Sequence, residues 1–267
     1  MDSIYPGSIW STARPEDVGM DSGEREFYTL PESPEAYGFL ALGDVHSLPD
    51  VWHKVSQRIY ENESDALFIV GSGDDPADGS QYDQWIDQFF SPARDLLGRV
   101  PFWPAIGNHE RTRQFVTVPP TAEQAERSHY FSLFELPGNE HWYRVDDQYL
   151  TLLIIDSNSQ RAPGFEQYDW LHEPLRLSRN RYTVAYVVTG GGALYQINSA
   201  ENRYQQVAKS TNHYLASDMT TAKMDVTAMD AEGEIIDQFV VPVGRATRGR
   251  MNSGWSQQLM GFLWTSR

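Results

Sequence analysis

The chain has 267 residues, 40% of them hydrophobic and 13% aromatic, enough apolar material for one large packed domain or two small ones. Its formal net charge of -16 argues against nucleic acid or an anionic membrane as main partner, because a basic surface supplies most of such affinity. With no cysteine, disulfides and thiolate metal sites are excluded.

In chain order, residues 1–35 are rich in Pro, Gly, Ser and acidic side chains, and read as an extended leader with Phe27-Tyr28-Thr29-Leu30 as its one strand-like piece. From Tyr37 the pattern becomes apolar strand, polar loop, helix. Leu48–Glu61 carries Val51, Trp52, Val55 and Ile59 near helical spacing, with Pro49 suited to a first turn. Tyr82–Leu97 repeats the theme with Trp85, Phe89, Phe90, Leu96 and Leu97. Tyr37 to Ile106 therefore reads strand, helix, strand, helix, strand, an order that implies parallel strands joined by crossover helices.

The following stretch is less regular. His129–Phe134 and Trp142–Val145 read as short strands, Pro137-Gly138-Asn139 as a turn, and Leu150–Ile155 as a buried strand ending at Asp156. Gln167–Leu177 looks helical, and Tyr182–Val188 is a strand running into Gly190-Gly191-Gly192. Alternating stretches near Tyr214, at Met224–Met229 and at Ile235–Val241 follow, with Asp230–Gly233 as a hairpin turn. Residues 36–243 make one domain, and residues 244–267 a basic tail with little apolar periodicity, expected to be partly disordered. No apolar stretch is long enough to span a bilayer, and Met1–Trp10 lacks the pattern of a secretory signal, so localisation stays open.

Three polar blocks carry the chemistry. Gly43-Asp44-Val45-His46 follows Phe39–Leu42, Gly73-Asp74-Asp75 follows Leu67–Val70, and Gly107-Asn108-His109-Glu110 follows Pro101–Ile106. An apolar run that stops at Gly and delivers Asp, His or Asn places metal ligands at the carboxyl end of a strand, the edge where open α/β sheets bind ligands. The aromatic segments beside these blocks have the spacing of core residues. Gly190-Gly191-Gly192 fits a tight chain reversal better than an anion cradle.

With these blocks, the segment Ile155-Asp156-Ser157-Asn158-Ser159 and the glycine triplet, the chain resembles the calcineurin-like metallophosphoesterases, closest to their purple-acid-phosphatase-like branch. The likeness runs from Tyr37 to Leu177 and resumes from Tyr186 to Val241, and the leader's Phe27–Pro31 resembles the last strand of the fibronectin-like domain that often precedes such domains. The resemblance implies an α/β fold, a four-layer α/β/β/α sandwich. It also implies that Asp44 and His46 serve a first metal, Asp74 bridges two metals, Asn108 serves the second, and His109 stands beside the leaving group. Glu110 and Asp156 would be hydrogen-bond partners behind these residues.

The later histidine blocks of that family have no counterpart in this chain. The sequence passes from Leu177 through Ser178-Arg179-Asn180 directly into Tyr182–Val188, so two core strands and three histidine ligands are expected to be missing. Asp44, His46 and Asp74 still make up three ligands for one ion, the number in many catalytic zinc sites. His53, His129, His141 and His172 are expected to be solvated or packing residues, while His213, in Asn212-His213-Tyr214, could approach the site although the resemblance gives it no ligand role. The expected function is divalent-metal-dependent hydrolysis of a small-molecule phosphate ester by metal-bound water, with one or two ions of Fe, Zn or Mn and a weakened or mononuclear site. The competing reading is a non-catalytic remnant or binding module that has lost its dinuclear site. Loss of two core strands would also leave sheet edges open to dimerisation.

Overall fold

Ala36–Leu42 (β1) is apolar on both of its faces, and only its first residue is exposed, so it takes the middle of a sheet. The computed structural model of the chain describes residues 36–63, 65–111, 128–146, 150–159, 162–178, 186–187, 189–193, 209–242 and 261–262. The leader, and all of the tail but two residues, lie outside them. β1 is followed by helix α1 (Pro49–Asn62), strand β2 (Ala66–Gly71), the short helix α2 (Tyr82–Gln84), α3 (Arg94–Leu97) and strand β3 (Phe102–Pro104). Then come α4 (Asn108–Arg111), α5 (Tyr130–Leu133), strands β4 (Tyr143–Asp146) and β5 (Thr151–Ile154), and helix α6 (Glu166–Ser178). The remaining strands are β6 (Tyr186–Val187), β7 (His213–Thr220), β8 (Lys223–Asp230), β9 (Ile235–Pro242) and β10 (Gly261–Phe262).

The main sheet has the order β3-β2-β1-β7-β8-β9. β1 and β2 pair in parallel, as do β2 and β3, which is the arrangement the strand–helix–strand alternation predicted. β7 adds to the other side of β1 antiparallel, with Ala36 opposite Thr220, and β8 and β9 follow as a meander. Leu40, Leu42 and Ile69 face a helical layer in which Trp52, Val55, Ile59, Trp85 and Phe89 are fully buried. Phe39, Ala41, Phe68 and Val70 face the opposite way and pack with Leu152 of the β4–β5 pair. A helical layer, a six-stranded sheet and a smaller second sheet make the α/β sandwich that the sequence led one to expect. Among the described residues no helix is long and apolar enough to cross a membrane.

Three elements differ from the sequence reading. The helix expected over Tyr82–Leu97 is broken: α2 runs into a π-helical turn at Trp85–Phe90, closed by the Ser91 N–H on Ile86 O at 2.8 Å, and the α form resumes only at Arg94. Pro92 accounts for the break, since it has no N–H for the next bond and its ring crowds the carbonyl four residues earlier. Trp52 Nε1 then takes Phe89 O at 3.0 Å, and Ser56 and His53 take Pro92 O, so side chains of α1 use the carbonyls that the break leaves over. His129–Phe134, expected as a strand, instead closes as a helical turn that buries Tyr130 in the helical-side core. In the tail, Gly261–Phe262 forms β10 and pairs in parallel with β6. Of the expected strand Tyr182–Val188, only Tyr186–Val187 lies among the described residues.

The second sheet is fastened to the first through polar contacts around one carbonyl and one buried ion pair. Tyr130 and Tyr143 both donate their hydroxyls to Pro104 O, at 3.0 and 2.6 Å. Arg111, at the end of α4, donates to the fully buried Asp156 that follows β5, and also to His141 Nδ1 at 2.9 Å. Gln167 of α6 bonds both the N–H and the C=O of Asp156. Burial pushes the Asp156 carboxyl up, but the His141 ring, the Arg111 guanidinium and the Ser159 hydroxyl outweigh it and hold the group below its ordinary range.

A group held low in the folded state contributes stability that is present above its unfolded value and lost as pH falls through the folded one. Asp156→Ala leaves Arg111 buried without its counterion and is expected to cost about 3–5 kcal/mol. Urea unfolding at neutral pH measures this, and an unchanged midpoint would show that the pair does not fasten the sheets.

Candidate metal centre

The carboxyl ends of β1, β2 and β3 are laced together by main-chain hydrogen bonds. Ser72 N–H donates to Leu42 O, Ala105 N–H to Gly71 O, Asp44 N–H to Gly73 O and Val45 N–H to Asp74 O, all between 2.8 and 3.1 Å. The glycine triplet closes a fourth side, with Gly192 N–H on Gly43 O at 2.8 Å and Ala193 N–H on Asp44 O at 2.9 Å. A Cβ on Gly192 would run into the Val45 side chain, so glycine is needed there for close approach to the Asp44 loop. Gly190–Gly192 is therefore a docking turn. Four non-glycine residues with positive φ occur among the described residues, and three are in these loops: Asp44 at 55°, Ser47 at 67° and Asp74 at 59°. Such backbone costs of order 1–3 kcal/mol per residue, and it persists here because the surrounding hydrogen bonds fix it.

The loops bring His46, Asp74 and His109 together, with one ligand atom from each within 4.8 Å of the others. The two imidazoles stack at 4.2 Å between centroids, and His109 Nε2 lies 4.0 Å from Asp74 Oδ2. Ala77 O can only accept, so His109 Nδ1, 2.8 Å away, must carry the proton and donate it, which leaves the lone pair on Nε2. His46 Nδ1 contacts Ser47 Oγ at 2.6 Å, and its Nε2 lies 4.0 Å from Asp44 Oδ1. Asp44 thus stands beside the trio, outside the 4.8 Å cluster. Asn108 follows Gly107 at the start of α4.

Burial and orphaned oxygens suit a cation at this position. Asp74 is fully buried; its Oδ1 accepts the His109 N–H at 3.0 Å, whereas Oδ2 has no hydrogen-bond partner. Asn108 Oδ1 is also buried without one. Burial raises the Asp74 carboxyl well above its ordinary range, and the nearby charges of Glu110 and Asp44 add to the rise. A buried acceptor with no donor costs about 1–3 kcal/mol unless something fills the role. Two imidazoles and a carboxylate form a donor set that suits Zn, Fe or Mn.

Behind the trio, Glu110 is fully buried and accepts three main-chain hydrogen bonds: from Gly107 at 2.6 Å, Asp74 at 3.0 Å and Asp75 at 2.6 Å. Burial pushes its carboxyl up to about 7 against the pull of those N–H groups. Asp75 is fully buried, both its oxygens lack partners, and burial with the charges of Glu110, Asp74 and Asp44 raises it well above the usual range. Its burial was not foreseen, and only its place beside Asp74 marks it in the sequence. The other histidines stand elsewhere. His213 is engaged at both ring nitrogens, by Thr211 O and Thr189 Oγ1; His53 bonds Pro92 O, His129 packs on Tyr82, and His172 stacks on Tyr168.

A family model described as calcineurin-like phosphoesterase matches residues 37–211. Among solved structures, the chain is similar to purple acid phosphatase PPD1 from yellow lupin (Lupinus luteus) seeds, with a TM-score of 0.63 and 13% identity, covering 79% of this chain and 54% of that one. It is also similar to GAP50, the anchor in the inner membrane complex of Plasmodium, with a TM-score of 0.56 and 13% identity, covering 79% of this chain and 90% of that one. The chain thus spans about half the length of the lupin phosphatase. At these identities the likeness is one of fold. No curated protein matches the sequence. The described strands are fewer than the full core of this fold. The match over residues 37–211, joined to the loops that assemble His46, Asp74 and His109 at three strand ends, places the chain in the calcineurin-like phosphoesterase family, with the metallophosphoesterase α/β fold.

Proposed function

We propose that this chain is a divalent-metal-dependent hydrolase of small-molecule phosphate esters that works with a single ion. The observation that carries this reading is Asp74 Oδ2, buried without a partner beside the Nε2 side of His109. His46, Asp74 and His109 would hold the ion, with Asp44 and Asn108 as the adjacent oxygen donors to metal or phosphate. Such an ion supplies Lewis acidity and lowers the pKa of its water, which is the chemistry that phosphoester hydrolysis needs.

The residues divide the remaining work. His109 keeps its proton on Nδ1 for Ala77 O, so it offers one nitrogen, Nε2, for chemistry. As a ligand it cannot also protonate the leaving group, and the proposal moves it from that expected role into the metal set. Asp74 keeps one oxygen for the His109 N–H and the other for the cation. Arg111 is paired with Asp156 and is committed to structure. A second reading is a binding module that keeps the fold without turnover; it rests on the single ligand cluster among the described residues, where a dinuclear site would need a second set.

Elemental mass spectrometry and turnover of a generic aryl phosphate separate the two readings. About one divalent ion per chain and measurable turnover are expected, and Asp74→Asn or His109→Ala should weaken metal binding by roughly 100-fold or more, beyond the 10–100-fold typical of groups behind the ligands. Metal bound without turnover favours the binding module; absence of both under several divalent ions overturns the enzyme reading.

Glu110, with a folded value near 7 against 4.5 unfolded, keeps its proton longer in the folded state. That contribution to stability is fully present below pH 4.5 and is lost as pH rises through 7, and Asp74 and Asp75 shift in the same direction. The metal-free chain should therefore melt at a lower temperature at pH 8 than at pH 5, and added divalent cation should raise the pH 8 value. Equal melting temperatures in chelator at both pH values would contradict this.

Among the described residues β9 ends the main sheet and exposes Ile235 at 56% and Val240 at 57%, and we infer that a second copy pairs along this strand. Sedimentation velocity should show a concentration-dependent dimer that Val240→Lys weakens, whereas a monomer at all concentrations contradicts it.

A further inference from the structure

One side-chain oxygen touches the loop that carries His46 and the loop after β2 that carries Asp74, whose Ala77 meets His109. Gln88 Oε1 accepts the Ser47 N–H at 3.0 Å and the Ala77 N–H at 3.0 Å. Ser47 is the residue whose hydroxyl meets His46 Nδ1 at 2.6 Å, and Ala77 is the residue whose carbonyl takes the proton of His109 Nδ1 at 2.8 Å. A single amide therefore holds the groups that orient both imidazoles, and it does so across 41 positions of sequence on one side and 11 on the other.

The mount of that amide is rigid. Gln88 lies in the π-helical turn Trp85–Phe90, whose neighbours Trp85 and Phe89 are fully buried. Trp85 Nε1 donates to Gly79 O at 3.0 Å, and Gly79 N–H in turn donates to His109 O at 2.7 Å. Phe89 O is taken by Trp52 Nε1 of α1 at 3.0 Å. π turns recur at functional sites, where one extra residue re-aims a side chain. Here the turn leaves Gln88, half-buried, against two loops at once.

We propose that Gln88 is a positioning residue for the metal site: by fixing Ser47 and Ala77 together, it sets the direction of His46 and the tautomer and direction of His109, so that the two imidazoles meet Asp74 in one cluster. This rests on the metal-site reading above and adds to it the element that makes two histidines from separate loops act as a pair. A histidine ligand is oriented by whatever its other ring nitrogen bonds, and loss of such a partner typically costs 10–100-fold in metal affinity. The backbone at Ser47, with φ at 67°, is held in a conformation that the Gln88 contact helps to fix. Without that contact Ser47 relaxes, and its hydroxyl leaves His46.

The test uses the full chain in three forms: parent, Gln88→Leu and Gln88→Glu. Cobalt(II) titration followed by visible absorbance should give about 10-fold or more weaker binding for Gln88→Leu, with altered band intensities at saturation. Gln88→Glu keeps an acceptor oxygen at the same reach and should bind cobalt as the parent does. In the metal-free state, two-dimensional nitrogen–proton spectra of histidine-labelled protein should show His109 protonated on Nδ1 in the parent and in Gln88→Glu. In Gln88→Leu the tautomers should be mixed, with His46→Gln and His109→Gln providing the assignments. A merely structural glutamine would lower the melting temperature without moving the tautomers or the cobalt bands. If Gln88→Leu does not fold, Gln88→Asn, one methylene too short to reach both loops, replaces it. Parent-like cobalt affinity and tautomers in the shortened or apolar variant overturn the proposal. A parent that binds no cobalt overturns the metal-site reading, and the metal-free tautomers then still decide the role of Gln88.

Discussion

The Glu110 carboxylate is the constraint on which the rest of the centre depends. Its two oxygens collect main-chain N–H groups from its own loop, at Gly107, and from the loop after β2, at Asp74 and Asp75. Those donors sit in tight turns where no strand or helix ladder can receive them, and an unsatisfied buried N–H is among the costlier defects a fold can carry. By satisfying three at once, Glu110 permits Asp74 to sit at positive φ with its side chain turned toward the histidines. A fully buried acid is itself expensive, and the tension shows in a carboxyl pushed up to about 7. Bringing a cation beside Asp74 would relieve the same tension, since the neighbouring carboxyls repel one another through a poorly solvated region.

Much of the fold, and part of the site, could be read in the sequence for a simple reason. The three strand-end blocks are local patterns: an apolar run, a glycine where the backbone must turn, then a polar side chain that has no place in a core. Asp44, His46, Asp74, Asn108 and His109 all fall in such blocks, and the parallel order of β1, β2 and β3 follows from the helical spacing between them. The π turn was not legible. The residues of Tyr82–Leu97 have good helical periodicity, and the break arises from Pro92 together with carbonyls claimed by Trp52, Ser56 and His53 from another helix. Gln88 was invisible for the same reason, since nothing in its neighbourhood says that its amide reaches two loops. His129–Phe134 misleads through composition: aromatic residues favour strands, yet here they close a helical turn that delivers Tyr130 to the core.

The division of labour among charged residues also follows from packing. Arg111 comes directly after Glu110, close enough to the centre to suggest a phosphate contact, but Asp156 and His141 hold it. Among the described residues the centre is thus rich in carboxyl groups, and its one neighbouring guanidinium is engaged, in keeping with the net charge of the whole chain.

The pairing of β1 with β7 sets a condition on how the chain reaches its fold. β1 is the centre of the main sheet, yet one of its two neighbours is formed by residues near Thr220, which stand opposite Ala36. On a chain made from its amino end, β1 and β2 can meet early, while the other edge of β1 stays open until most of the chain has emerged. That edge is apolar on both faces and, once complete, almost wholly buried. High sequence separation slows such closure, because loop entropy must be overcome before the contact is gained. The same strand that anchors the finished sheet is therefore a segment that needs protection during synthesis.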